Sequence, residues 1–196
     1  MTAKQATRQL TLTAMFIALV ILLGLTPLGL IPLGFINVTI LHIPVIIGTL
    51  ALGLKGGVTL GLTFGIVSTL RAFGIPLPAS ALVSNLMAES PLLVVVMSMF
   101  PRLMVPLVTY GVHRLLTGRG VRRYVALPVA AVAGTLTNTI LYLGLMLLFY
   151  VLTALDAAAV LGLIAGTGAI GGGAESIVAA LVATPVVLAL EKIQKK

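Results

Sequence analysis

Pro91-Leu-Leu-Val-Val-Val-Met-Ser-Met-Phe-Pro-Arg-Leu-Met-Val-Pro-Leu-Val-Thr-Tyr-Gly-Val-His-Arg-Leu-Leu116, closed by Thr117-Gly-Arg-Gly-Val-Arg-Arg123, decides the class of this chain. A hydrocarbon core about 30 Å thick needs roughly 20 apolar residues per helix. This run exceeds that length, carries one charge deep inside at Arg102, and stops at a basic loop. The rest of the chain has the same texture. With 60% hydrophobic and 8% charged residues among 196, and a mean hydropathy of +1.23, it has more apolar surface than an ordinary water-soluble core can hide. The mixed Leu/Val/Ala/Gly runs lack the dyad alternation of barrel strands. An all-α membrane protein is expected.

Working outward, a first span covers about 10–25 and ends at Thr26-Pro27, since proline lacks a donor and clashes with the preceding turn. The basic N-terminus leads into it without a small-residue cleavage site, so a retained helix is expected rather than a signal peptide. The Gly/Pro-rich segment 27–34 follows. It is too irregular for a helix, and non-helical backbone at membrane depth must pack on protein or line a cavity. A second span over about 40–54 ends at Lys55-Gly56-Gly57, and a third covers 58–73. Gly57, Gly61 and Gly65 strip one face of the third for close helix approach. The segment 74–90 reads as a broken outer loop. The fourth span is the opening run, bent by Pro101 and Pro106; the fifth covers about 125–152, and the sixth reaches about 190, with a kink or unwinding expected at Gly171-Gly172-Gly173. The expectation is one domain over 1–196, a compact six-transmembrane-helix bundle.

Orientation follows from charge. Of 12 basic residues, all but Arg71 and Arg102 fall on the same side of six alternating spans, from Lys4 and Arg8 through Lys55, Arg114 and Arg119 to Lys196. Lys and Arg in short loops are biased to the cytoplasm, so both termini are expected there. The net charge of +8 is then a topology anchor and not a nucleic-acid face, which would need a polar basic surface.

The two exceptions are the candidate functional charges. An ionisable group near the bilayer centre costs about 2.5–3.5 kcal/mol on insertion scales and needs a partner or a wet cavity. Two readings stand for Arg102: an ion pair with Glu175 of the sixth span, or reception of an anionic ligand. Arg71 either snorkels to the interface or binds a carboxylate through its planar fork. Asn138, between Thr137 and Thr139, and Tyr142 one turn later can bridge helices or meet a ligand. Asn37, Thr39 and His42 sit where the first outer loop re-enters, and Ser80, Ser84 and Asn85 occupy the second. No cysteine is present, and no histidine–carboxylate cluster suits a metal. The sequence has no nucleophile elbow, phosphate loop or paired acids for catalysis, and no filter-like sequence for a channel.

Ala14-Met-Phe-Ile-Ala18, Leu41-His-Ile-Pro-Val-Ile-Ile-Gly48, Phe100-Pro-Arg-Leu103 and Gly134-Thr-Leu-Thr-Asn-Thr139, in that order, resemble the substrate-binding S component of energy-coupling factor (ECF) vitamin transporters. The resemblance covers nearly the whole chain. It implies a vitamin-binding subunit in a bacterial cytoplasmic membrane that docks on a transmembrane T component driven by two cytoplasmic ATPases. It implies no cofactor in this chain, since ATP and Mg belong to those partners. It assigns the docking face to Ala14 and Ala18, and places the solute in the outer half beneath the loops. The Phe-Pro-Arg and Thr-Asn-Thr order is most similar to the pantothenate and folate members. Two arginines favour a carboxylate, and the absence of tryptophan argues against a large stacked ring. Pantothenate is the expected vitamin, bound by Arg71, Arg102, Asn138, Tyr142, Glu175, Asn85 and Asn37. The alternatives are a folate or riboflavin S component, a small membrane-embedded lipid-modifying enzyme using Arg102 and Glu175, and a scaffolding bundle.

Overall fold

The computed structural model describes residues 3–32 and 37–194. Helix α1 (Ala3–Leu25) leads through a turn of 3-10 helix (Pro27–Gly29) into a small antiparallel pair, β1 (Leu30–Pro32) and β2 (Asn37–Thr39), with Ile31 opposite Val38. Helices α2 (His42–Ala72), α3 (Ala81–Glu89), α4 (Pro91–Gly118), α5 (Arg123–Leu152) and α6 (Ala157–Gln194) complete the chain. Five helices, all but α3, are long and apolar enough to cross a membrane.

α2 is continuous in name only. Gly53 has φ 81°, ψ −176°, a conformation that glycine reaches without steric cost. Across that break a side chain at Gly48 would strike Leu60, and one at Gly57 would strike Thr49. In a straight helix Gly48 and Leu60 would stand about 18 Å apart at 1.5 Å per residue. The chain therefore doubles back, and residues 42–52 lie against residues 54–72. Two hydrogen bonds set the levels: Gln9 Nε2 donates to the Leu52 carbonyl at 3.3 Å, and Arg71 Nη1 donates to the Gly24 carbonyl at 2.9 Å. α1 thus rises alongside the second limb of α2, and the first limb descends between them and the rest.

The first limb is the axis of the bundle. Residues 41–50 are buried without exception, and their neighbours Val20, Leu60, Phe64, Val105, Leu127, Ala130, Ala183 and Val187 come from every other long helix. At roughly 16 Å by helix rise this limb is too short to span a bilayer alone, but enclosed in protein it has no lipid boundary to match. The outer surfaces of α1 and α6 carry exposed Leu10, Met15, Leu22, Ile177 and Leu181, as expected of lipid-facing helices.

The glycine stripe works as its spacing requires. A Cβ on Gly61 would sit 2.7 Å from the Arg102 carbonyl oxygen and 2.9 Å from Pro106 Cγ, and one on Gly65 would sit 2.8 Å from Met99 Sδ. α2 and α4 can meet this closely only because those side chains are absent. At one end of the bundle Arg123 pairs with Glu191, near the basic 119–123 turn. The opposite end carries the β pair, the 73–80 segment and α3.

Three local expectations differ. Residues 81–89 form a helix rather than a loop, because Leu82, Val83 and Leu86 at helical spacing bury themselves against Tyr150 and Met146. α6 runs unbroken through Gly171-Gly172-Gly173; a Cβ on Gly172 would meet Thr139 of α5, so close packing holds that turn. The irregular 27–34 segment is a turn and a strand as far as Pro32, and its remainder lies outside the described residues.

Candidate substrate-binding site

At the end away from the basic turn, a half-open cleft with about 550 Å³ of empty space, its mouth included, lies between α2, α4, α5 and the 78–83 segment. Its wall is built from helical faces. Phe64, Ser68, Arg71 and Ala72 follow one stripe of the second limb of α2; Ser98 and Arg102 are one turn apart on α4; Tyr142 enters from α5. Thr39, Leu41, Pro78, Ser80 and Val83 close the rim.

Arg102 is 3% exposed and is held by its own helix. Pro101 has no N–H, so the Met97 carbonyl loses its helical donor; Arg102 Nη1 supplies one at 3.1 Å. Side chains on a helix lean toward its N-terminus, and here that lean aims the guanidinium at the cleft. Its carbon stands 4.3 Å from the Tyr142 ring centroid and 5.2 Å from that of Phe64. Each contact is worth about 2 kcal/mol when desolvated, so the cation is both stabilised and fixed in plane. No carboxylate among the described residues lies within ion-pair distance of it. Arg102 is therefore a buried cation with aromatic walls, one backbone bond and open donor capacity toward the cleft.

The expected ion pair with Glu175 does not form. Glu175 accepts a hydrogen bond from Thr139 Oγ1 at 3.5 Å and lies outside the cleft lining. Arg71 does line the cleft, near its mouth, and ties the end of α1 through the Gly24 carbonyl. Tyr142 lines it as well. Asn138, expected at the site, is 5% exposed on α5 one turn below Tyr142 and lies outside the cleft lining; its Oδ1 has no partner among the described residues. Its neighbours are settled locally, Thr137 on the Ala133 carbonyl at 2.7 Å and Thr135 on the Ala131 carbonyl at 3.1 Å, the usual accommodation of a hydroxyl within a helix. Asn85 is exposed on α3, away from the lining. The backbone of Asn37 pairs with Pro32, while its side chain lies outside the described residues. Ala14 and Ala18 are exposed on the outer face of α1, so contact with another helix of this bundle does not occupy them.

Phe64, Ser68 and Ser98 were not singled out from the sequence. A signal was available, since Phe64, Ser68 and Arg71 share a helical stripe at i, i+4 and i+7, as Ser98 and Arg102 do at i and i+4.

The family model described as "ECF transporter, substrate-specific component" matches residues 8–190. This chain belongs to that family. Its members are transport subunits, not enzymes, and the chain is accordingly a multi-pass membrane protein. A curated relative, the pantothenic acid transporter PanT of Lactococcus lactis subsp. cremoris (strain MG1363), is 34% identical over 161 residues, covering 79% of this chain and 78% of that one. A 2.1 Å crystal structure of the S-component for biotin from an ECF-type ABC transporter is similar with a TM-score of 0.60 over 100% of this chain and 95% of that chain. At 17% identity the likeness concerns the fold.

Proposed function

We propose that this S component binds pantothenate and delivers it to an ECF-type importer. The observation that carries the reading is the buried Arg102 guanidinium, stacked between Tyr142 and Phe64 at the wall of a cleft that also holds Arg71. Such a cation selects a carboxylate bidentately. The hydroxyls of Ser68, Ser80, Ser98 and Tyr142 suit the ligand's own hydroxyl groups and amide, and Leu41 and Val83 suit its dimethyl centre. The 34% identity to a pantothenic acid transporter supports the same choice. A folate or riboflavin needs an aromatic face for its ring system, and both aromatic rings of the lining are engaged with Arg102.

In this reading the chain crosses the bacterial cytoplasmic membrane six times, the two limbs of α2 counting separately, with both termini and the basic turns in the cytoplasm. The cleft then faces outward. Ala14 and Ala18 leave a flat notch among exposed Leu10, Met15 and Leu22, suited to close approach of a T-component helix. Two ATPases on the cytoplasmic side supply ATP and Mg chemistry. Equilibrium binding of labelled pantothenate to the purified protein tests the reading: saturable binding that is lost in Arg102→Ala supports it, and absence of binding by the unsubstituted protein overturns it.

A further inference from the structure

His42 is a fully buried polar residue to which the binding site above gives no role. It opens α2, next to Leu41 of the cleft wall. Its Nδ1 lies 3.0 Å from the Thr39 carbonyl oxygen. A carbonyl only accepts, so Nδ1 carries the proton. A second proton would put a full positive charge on a ring with no exposure to solvent, beside a cleft whose wall already holds the Arg102 cation, and no carboxylate pairs with that ring among the described residues; such burial is costly. The ring is therefore neutral, and Nε2 presents a lone pair.

That lone pair has no partner among the described residues, and neither does the Nε–H of Arg102. One atom is an acceptor and the other a donor, both fully enclosed. Buried polar groups left unpaired are rare, and each calls for a physical reason. We propose that His42 is a positioning residue for the ligand-binding guanidinium, its Nε2 taking the Arg102 Nε–H, directly or through one water, when ligand fills the cleft. The inference rests on Arg102 being the carboxylate receptor.

The geometry that follows is specific. With one Nη1 proton on the Met97 carbonyl and Nε–H on His42, Arg102 offers the carboxylate its terminal Nη1/Nη2 edge. Thr39 ends β2 and lines the cleft, and its hydroxyl donates to the Gly29 carbonyl at 3.3 Å. His42 thereby links the β1–β2 pair at the rim to the orientation of the cation within.

A double-mutant cycle distinguishes this role from packing. His42→Asn keeps a donor near the Nδ1 position and lacks an acceptor at Nε2, whereas His42→Gln puts an amide oxygen there. Labelled pantothenate is the probe, and thermal unfolding without ligand checks that each variant is folded. His42→Asn is expected to weaken binding about tenfold or more, the scale of one hydrogen bond to a charged group, and His42→Gln by less than about threefold on that scale. In an Arg102→Lys background, which keeps a cation but has no Nε–H, His42→Asn is expected to have almost no further effect. Equal losses in both backgrounds, or a Gln variant as weak as the Asn variant, overturn the inference while leaving the substrate reading intact. Failure of the unsubstituted protein to bind pantothenate instead removes the substrate reading and the inference together.

Discussion

Replacing Arg102 by methionine separates what this residue does for binding from what it does for folding. Methionine keeps most of the length and apolar stem, so packing against Phe64 and Tyr142 changes little. The folding effects oppose each other. The Met97 carbonyl loses the donor that compensates for Pro101, at about 1–3 kcal/mol, and the cation's contacts with the Phe64 and Tyr142 rings give way to weaker sulfur–aromatic ones, while a cation that is 3% exposed no longer has to be desolvated, a relief of several kcal/mol. Ligand-free stability is expected to shift by no more than about 1–2 kcal/mol. Binding has no such compensation. A carboxylate brought into the cleft without its cation is a buried charge left unpaired, a loss of about 2–5 kcal/mol, or roughly 30-fold to several-thousand-fold in Kd. Equilibrium binding of pantothenate and of its alcohol analogue, which lacks the carboxylate, measures both arms alongside thermal unfolding. The acid should lose at least about 30-fold by that arithmetic, and the alcohol far less. Equal losses for acid and alcohol, or an acid affinity unchanged within threefold, would refute the assignment of Arg102.

Gly61→Ala puts a methyl 2.7 Å from the Arg102 carbonyl oxygen, a backbone atom, so thermal unfolding should show a loss of about 1–3 kcal/mol; Gly111→Ala, with open space around it, should be neutral or slightly stabilising. Ala14→Leu and Ala18→Leu, on the exposed face of α1, should leave pantothenate affinity unchanged and abolish uptake by the assembled transporter. Normal uptake in either variant would contradict docking through that face. Because the chain has no cysteine, single cysteines at Lys55 and Gly120 should react with an impermeant thiol reagent only from the cytoplasmic side, and one at Ala154 only from outside.

The sequence reveals this architecture chiefly through lengths and stops. Apolar runs bounded by Thr26-Pro27, Lys55-Gly56-Gly57 and the 117–123 basic loop mark the long elements, because membrane thickness fixes how much apolar chain each crossing needs. The reversal at Gly53 was legible in the Lys-Gly-Gly that follows it. Helix α3 was not legible: nine residues with Ser84 and Asn85 look like a polar loop until Leu82, Val83 and Leu86 find their partners. Within the site, Arg71, Arg102 and Tyr142 were legible as polar groups in apolar surroundings. The imagined Arg102–Glu175 pair failed because facing across helices depends on rotation and depth, which sequence distance does not encode. Local geometry had the better clue. Pro101 beside Arg102 frees a carbonyl that the same arginine caps, and the lean of that side chain points it at Tyr142 and Phe64.

On this reading the cleft belongs to a small anionic vitamin. Purified protein offered labelled pantothenate in competition with unlabelled folate, riboflavin and biotin tests it most directly. Saturable pantothenate binding that unlabelled pantothenate alone displaces is the expected result. Displacement by folate or riboflavin, or a flavin or pterin absorption spectrum in the protein as purified, would contradict it.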